Sequence, residues 1–375
     1  MWLAWREGLE ASGSAGSRMN PIVAAPLLGV CLHGIGAFLA ANCYSPQKYL
    51  RRWSWEIYWL TQAAWCWFLW PIIGAIATVP QLWHVLAEAP KDRMLFSFLM
   101  GIAYGVGGTA FIVSIRYIGF SLTYAIAVGL SSILGTLVPP LVRGQFGDIF
   151  AKVGAGWVFA GVAAGAVGIA VCGAAGHFKE GDLKARAGGP GEFSMIKGLL
   201  LSLLAGVLSA VYGFALEVAA PVVDIAEQHG AGIWKGNIAY LFANTGAFVT
   251  AALYSLYLAR RNKSLGELRR LRAGEGRASL TGNYLLALLT GTLWYGQFFF
   301  YNLGHVRLGR QYAFSSWAIH MILLVLFSNL VGVVFQEWKG CRERTKTTIG
   351  LGLAVLCAAI LLLTYGNYLG EPPSQ

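Results

Sequence analysis

Long apolar runs alternate with short polar clusters along the whole chain. Stretches of roughly 20 residues, the length a helix needs to cross bilayer hydrocarbon, recur near 22–43, 57–78, 95–117, 121–141, 154–175, 196–219, 234–258, 282–303, 312–335 and 347–367. Segments of alternating apolar and polar residues, as in a barrel, are not found, and an isolated segment in lipid satisfies its own backbone only as a helix. The pattern predicts an all-α, polytopic membrane protein with ten transmembrane helices. The third and fourth runs are joined by little more than YIGFS, and the eighth and ninth by GHVRLGRQ.

Ten spans divide into five and five. An odd number per half inverts one half relative to the other, a transporter plan that places the binding site near the midplane at the repeat interface. Tyr104-Gly105 and Arg116 recur at a constant offset as Tyr295-Gly296 and Arg307, and Tyr124-Ala125 has a near counterpart in Tyr312-Ala313. The expected organisation is an N-terminal tail (1–20), a first five-helix repeat (21–175), a cytoplasmic linker (176–195), a second five-helix repeat (196–367) and a C-terminal tail (368–375).

Composition agrees: 57% of the 375 residues are hydrophobic and only 12% are charged, against about 25% charged in soluble domains. The net charge of +11 could point to nucleic acid, but the excess lies between spans, and no basic face interleaved with base-stacking aromatics is present. Of the 28 Lys and Arg, 19 fall in the loops after odd-numbered spans or at the span ends that flank them, which places those loops in the cytoplasm and both termini outside. RRNKSLGELRRLRAGEGR, from Arg260, is then cytoplasmic. The six cysteines form no CxxC or Cys/His pattern, so neither a disulfide framework nor a metal site is expected. Residues 1–18 lack the apolar core of a signal peptide. Either a start at Met19 or a short amphipathic tail accounts for them.

The candidate chemistry lies in spans eight and nine. Trp294, Gln297, Phe298, Tyr301 and His305 share one helical face, as do Tyr312, Ser316 and His320, flanked by Trp317. Polar side chains in a span face the bundle or a wet cavity. Aromatic rings beside amide, hydroxyl and imidazole groups suit a sugar, whose C–H faces pack on rings while its hydroxyls take the polar groups. The expected substrate-binding set is Trp294, Gln297, Phe298, Tyr301, Tyr312, Ser316, Trp317 and Tyr104. For Gln297 and His320 an interhelical hydrogen bond is the alternative, and for His305 an interfacial position. His33, Glu217 and His320 are the candidates for proton coupling, with a place at the outer interface before Pro221 as the alternative for Glu217 and a satisfied core histidine as that for His33; one charge crossing 100 mV is worth about 2.3 kcal/mol of accumulation. Trp53, Trp55, Tyr58, Trp338 and Tyr365 read as interfacial anchors, and Glu56 as a carboxylate tolerated at a span end. Gly101 with Gly105, and Gly161 with Gly165, read as surfaces for close helix packing. No cofactor motif, HExxH, GxSxG or paired carboxylate is present, so an enzyme is not expected; an exporter of the same fold is the alternative function.

Three blocks, LHGIGAFLAANCYSPQKYLRRWSWE (from Leu32), IRYIGFS (from Ile115) and WYGQFFFYNLGHVRLGRQYAFSSWAIHM (from Trp294), resemble the L-rhamnose–proton symporter family, itself similar to the drug/metabolite transporter superfamily. The likeness runs from about Pro21 to Asn367. It implies ten spans in two five-helix repeats and proton-driven uptake of a 6-deoxyhexose across the bacterial inner membrane, with sugar, proton and bilayer as partners. His33, Trp55, Glu56, Arg116, Trp294, Gln297, Tyr301, His305, Gln311, Tyr312, Trp317 and His320 match the family pattern. Gly108, Ala110 and Ala313 stand where the family usually has polar residues, Glu217 where it has an uncharged amide, and Ala220 where it has a lysine.

Overall fold

The computed structural model describes residues 25–118, 120–142, 144–187, 194–269, 277–308, 313–336 and 338–370. The expected N-terminal tail lies outside them. The described residues form helices and no strand. The long helices are α1 (Pro26–Asn42), α2 (Trp55–Ala63) continuing through a π-helical turn (Ala64–Leu69) into α3 (Trp70–Thr78), α5 (Lys91–Ile118), α6 (Phe120–Val142), α8 (Ala155–Ala187), α9 (Met195–Val218), α11 (Asn237–Arg261), α12 (Arg277–Leu308), α13 (Ser316–Val334) and α14 (Glu343–Leu369). Short helices α4 (Leu82–Glu88), α7 (Phe146–Phe150) and α10 (Ala220–Gln228) lie between them. Segment 176–187, expected as linker, continues α8 as helix.

Nine helical segments among the described residues are long and apolar enough to cross a membrane, which makes this a multi-pass membrane protein. The expected eighth span, α12, is not one of the nine. Its 32 residues give about 48 Å of helix at 1.5 Å per residue, so length is not what it lacks. Gln297, Asn302 and His305 dilute its apolar character, and Gln297 and Asn302 are buried against protein.

Helix α1 packs on α12 and α13, while α9 packs on α5 and α6; α8 lies along α14. The closest approaches run through glycine. A Cβ at Gly101 would sit 2.1 Å from the Ala243 carbonyl oxygen, and one at Gly246 2.1 Å from that of Phe98, so α5 and α11 touch backbone to backbone. Gly105 faces Thr250, Gly161 faces Ala359 and Leu363, and Gly165 faces Ile322. These are the packing surfaces the spacing predicts. Gly108 differs, because a Cβ there meets nothing within 4 Å.

The π-helical turn has a local cause. Pro71 has no N–H to offer the Trp67 carbonyl, and its ring crowds that oxygen. The chain takes a wider turn, with the Trp70 N–H reaching the Trp65 carbonyl, and Cys66 and Trp67 are buried.

Two expected interfacial anchors are core residues instead. The Trp53 indole donates to the Glu267 carbonyl at 3.0 Å, and the Tyr58 hydroxyl, fully buried, lies 2.5 Å from Thr290 Oγ1. Glu56 is also buried, accepting from Asn262 Nδ2 (2.9 Å) and Ser264 Oγ (2.7 Å). The segment after α11 folds back over the start of α2 and covers all three. Trp338 is buried as well, whereas Tyr365 is exposed as an anchor should be.

Gly101→Ala is expected to destabilise the protein by about 1–3 kcal/mol, since the colliding atom is backbone. Gly108→Ala should be neutral or slightly stabilising, because alanine is the better helix former. Thermal unfolding in detergent checks the pair; equal melting temperatures would contradict the packing described.

Candidate functional site

A cavity of about 130 Å³ lies at the centre of the helices. Its wall is a cage of tryptophans set edge to face. Trp59 and Trp67 have ring centroids 6.0 Å apart, Trp59 and Trp294 5.8 Å, and Trp67 and Trp294 5.2 Å, with interplanar angles of 75–77°. Tyr104 closes the cage 6.4 Å from Trp67. Gln297, Ser209, Tyr44 and Tyr124 bring polar groups to the same space, and Gly108 leaves room on one side. The indole nitrogens of Trp67 and Trp294 are buried with no protein hydrogen-bond partner. A buried unpaired donor is costly, and two of them belong to residues that line this one cavity.

A larger cavity, about 610 Å³, opens where α6, α9 and α12 end and α11 and α13 begin. That is the face opposite the loops rich in Lys and Arg. Tyr301, His305, Trp317, Glu217, Asp224 and Lys235 line it. One helical turn separates its lining from that of the central cavity on three helices: Gly213 from Ser209 on α9, Tyr301 from Gln297 on α12, and Trp317 from Met321 on α13. The layer between is aromatic and pinned by hydrogen bonds. Tyr212 lies 5.2 Å from Phe298 and 6.3 Å from Trp317 by ring centroid. The Tyr212 hydroxyl donates to Asn244 Oδ1 at 2.5 Å, the Tyr240 hydroxyl to the Phe298 carbonyl at 2.7 Å, and the Trp317 indole to the Ser131 carbonyl at 3.0 Å.

Beside this layer sits a histidine cluster. His33 is 5.9 Å from His320 and 5.1 Å from Tyr301 by ring centroid; Tyr301 is 5.4 Å from His320 and stacks on His305 at 6.0 Å. His33 is fully buried with neither ring nitrogen hydrogen-bonded to protein, and His320 Nδ1 has no partner either. His305 Nδ1 lies 3.0 Å from Ser316 Oγ. Glycine makes the cluster possible. A Cβ at Gly304 would lie 2.8 Å from His33 Cδ2, and one at Gly36 3.0 Å from the Gln297 carbonyl and 3.3 Å from His320 Cε1. The groups thus run from the large cavity, through His305 and Tyr301, to a buried imidazole pair.

The sequence-predicted residues divide among these places. Trp294, Gln297 and Tyr104 line the central cavity, Tyr301 and Trp317 the larger one, and Phe298 lies in the layer between. Ser316 is beside His305, not in a cavity wall. Tyr312 lies outside the described residues. His33 and His320 meet, whereas Glu217 lines the larger cavity together with Tyr301 and His305. Trp59, Trp67 and Tyr212 were not anticipated. The signal for the tryptophans was the density of WSWEIYWLTQAAWCWFLW, from Trp53 to Trp70, which is more aromatic than the three anchors Trp53, Trp55 and Tyr58 account for. Among the described residues no group of His, Cys, Asp and Glu is arranged to hold a metal.

Comparison with known proteins gives this arrangement a lineage. Residues 22–367 match the family described as L-rhamnose-proton symport protein. The chain is 33% identical over 342 residues to the L-rhamnose-proton symporter of Cronobacter sakazakii, covering 90% of this chain and 97% of that one. It is 32% identical over 349 residues to the symporter of the same name from Pectobacterium atrosepticum, covering 92% and 98%. A third, from Salmonella paratyphi B, is 32% identical over 342 residues, covering 90% and 97%. With the match spanning every transmembrane segment and both cavities, the chain belongs to the L-rhamnose-proton symport protein family.

Proposed function

We propose that the protein is a proton-coupled symporter that carries L-rhamnose, or a closely related deoxysugar, into a bacterial cell across the inner membrane. The observation that carries this reading is the tryptophan cage with unpaired indole donors, set one turn from a buried histidine pair, in a chain whose relatives are named as symporters. Those names favour uptake over export. Helix α12, eighth in chain order, completes the ten spans: Gln297 and Asn302 are buried against protein, while Leu285 and Leu289 are exposed. The packing of α1 on α12 and α13, mirrored by α9 on α5 and α6, supports two inverted five-helix repeats. The basic loops then lie in the cytoplasm and the large cavity faces outward.

The sugar enters from the large cavity and settles in the central one. Trp59, Trp67, Trp294 and Tyr104 pack on its C–H faces. Gln297 and the indole N–H groups take its hydroxyls. The 6-methyl group suits an apolar wall, where a hydroxyl on C6 would be left without a partner. The proton arrives by way of His305 and Tyr301 and is held by His33 and His320, close enough to each other that they share one charge more readily than they carry two. Gln297 and Tyr301 are consecutive turns of α12, so sugar and proton press on the same helix. Tyr301 and Trp317 line the entrance, Phe298 and Ser316 hold the lining in place, and Glu217 makes the outer wall acidic.

Three outcomes follow. In proteoliposomes an inward proton gradient drives accumulation of labelled L-rhamnose, and an uncoupler abolishes it; accumulation unaffected by uncoupler would exclude symport. Gln297→Ala lowers uptake by about tenfold or more, the worth of a lost hydrogen bond to a buried sugar hydroxyl, in protein with a normal melting temperature; uptake at the unsubstituted level removes Gln297 from the site. His33→Gln with His320→Gln loses gradient-driven accumulation but retains sugar counterflow; loss of both, in folded protein, assigns the pair to sugar binding instead.

A further inference from the structure

A third cavity, about 420 Å³, opens on the basic face of the molecule. It lies where α1, α8 and α13 end and α6 begins. Ser45, Lys48, Lys179, Ser328, Asn329 and Trp338 are among its lining residues. It shares two residues with the central cavity, Tyr44 and Tyr124, and these separate the two spaces. The large outer cavity shares none with the central one. The barrier toward the basic face is therefore the thinner of the two, a pair of tyrosine side chains with no helical turn between them.

The lining has the chemistry of the central cage at lower density. Trp338 is 9% exposed, lines the cavity, and has an indole N–H with no protein hydrogen-bond partner. Asn329, Ser45 and Ser328 supply an amide and two hydroxyls. The cations do not make it an anion site. Lys179 Nζ lies 4.7 Å over the Trp338 ring and Lys48 Nζ 5.0 Å over the Phe335 ring, while Glu180 lines the same space. At 420 Å³ against 130 Å³, the cavity has room for a monosaccharide together with bridging water.

We propose that this cavity is a second sugar site, the chamber from which sugar leaves on the basic face, and that Tyr44 and Tyr124 form the door between it and the central cavity. The inference rests on the symport reading. Each door residue touches both sides. Tyr44 is stacked at 6.3 Å on Trp59 and meets Trp294 edge-on at 5.2 Å, so displacing it disturbs the cage. Tyr124 meets Phe111 of the central cavity at 5.2 Å and has a side-chain hydrogen bond with Ser328 of the chamber. A sugar whose hydroxyl takes Ser328 from Tyr124 would release one leaf of the door from the chamber side.

The test is thiol labelling with a membrane-impermeant maleimide. Ala125→Cys and, as a second variant, Ala41→Cys each place one thiol in the chamber wall, in protein whose six native cysteines are replaced by alanine. Both thiols are expected to label in inverted vesicles, where the basic face is outside, and not in right-side-out vesicles. L-rhamnose at saturation should slow that labelling several-fold, and inorganic phosphate should not. Labelling unchanged by sugar, in a variant that still accumulates L-rhamnose, overturns the chamber and leaves symport standing. Slowing by phosphate instead of sugar also overturns it, as an anion site. Slowing by sugar without gradient-driven accumulation supports the chamber and counts against the symport reading.

Discussion

The site depends on the approach of α1 to α12. A Cβ at Gly29 would lie 3.0 Å from the Gly304 carbonyl oxygen and one at Gly36 3.0 Å from that of Gln297, so the two backbones are in contact over two turns. Only at that separation does His33 reach Tyr301 and His320. The contact also excludes lipid from a place where hydrocarbon would leave imidazole and amide groups unsolvated. A Cβ at either glycine would push the two backbones apart by a few tenths of an ångström, and His33 would shift with α1 relative to Tyr301.

Two kinds of polar burial coexist in this membrane domain. Glu56, Trp53 and Tyr58 are fully partnered by the segment after α11 and by Thr290, and they fix the end of α2. The indoles of Trp67 and Trp294 and the ring of His33 are equally buried and have no partner in the protein. The first kind stabilises the fold; the second costs stability and lines the path that sugar and proton are proposed to take.

Much of the fold was legible. Runs of about 20 apolar residues locate the long helices, because length and hydropathy are local properties. The stripe of Trp294, Gln297 and Tyr301 was legible for the same reason, since one helix carries it and its period is fixed. What remained hidden was long-range. Trp59, Trp67 and Tyr212 reach the centre from other helices, through a π-helical turn and glycine contacts that no single segment reveals. Trp53 and Tyr58 misled because an aromatic near a span end looks alike as anchor and as core; only the loop that covers them decides. Glu217, read either as a proton carrier or as an outer-interface residue, lies near the end of α9 on the wall that Tyr301 and His305 also line.

The central claim is that sugar in the tryptophan cage and a proton on the histidine pair are bound together. Calorimetric titration of the purified protein with L-rhamnose, in buffers of different ionisation enthalpy, tests it most directly. The account predicts a binding enthalpy that varies with the buffer in the sense of net proton uptake, and a variation that disappears in His33→Gln with His320→Gln. Binding with the same enthalpy in every buffer across the neutral pH range would contradict it.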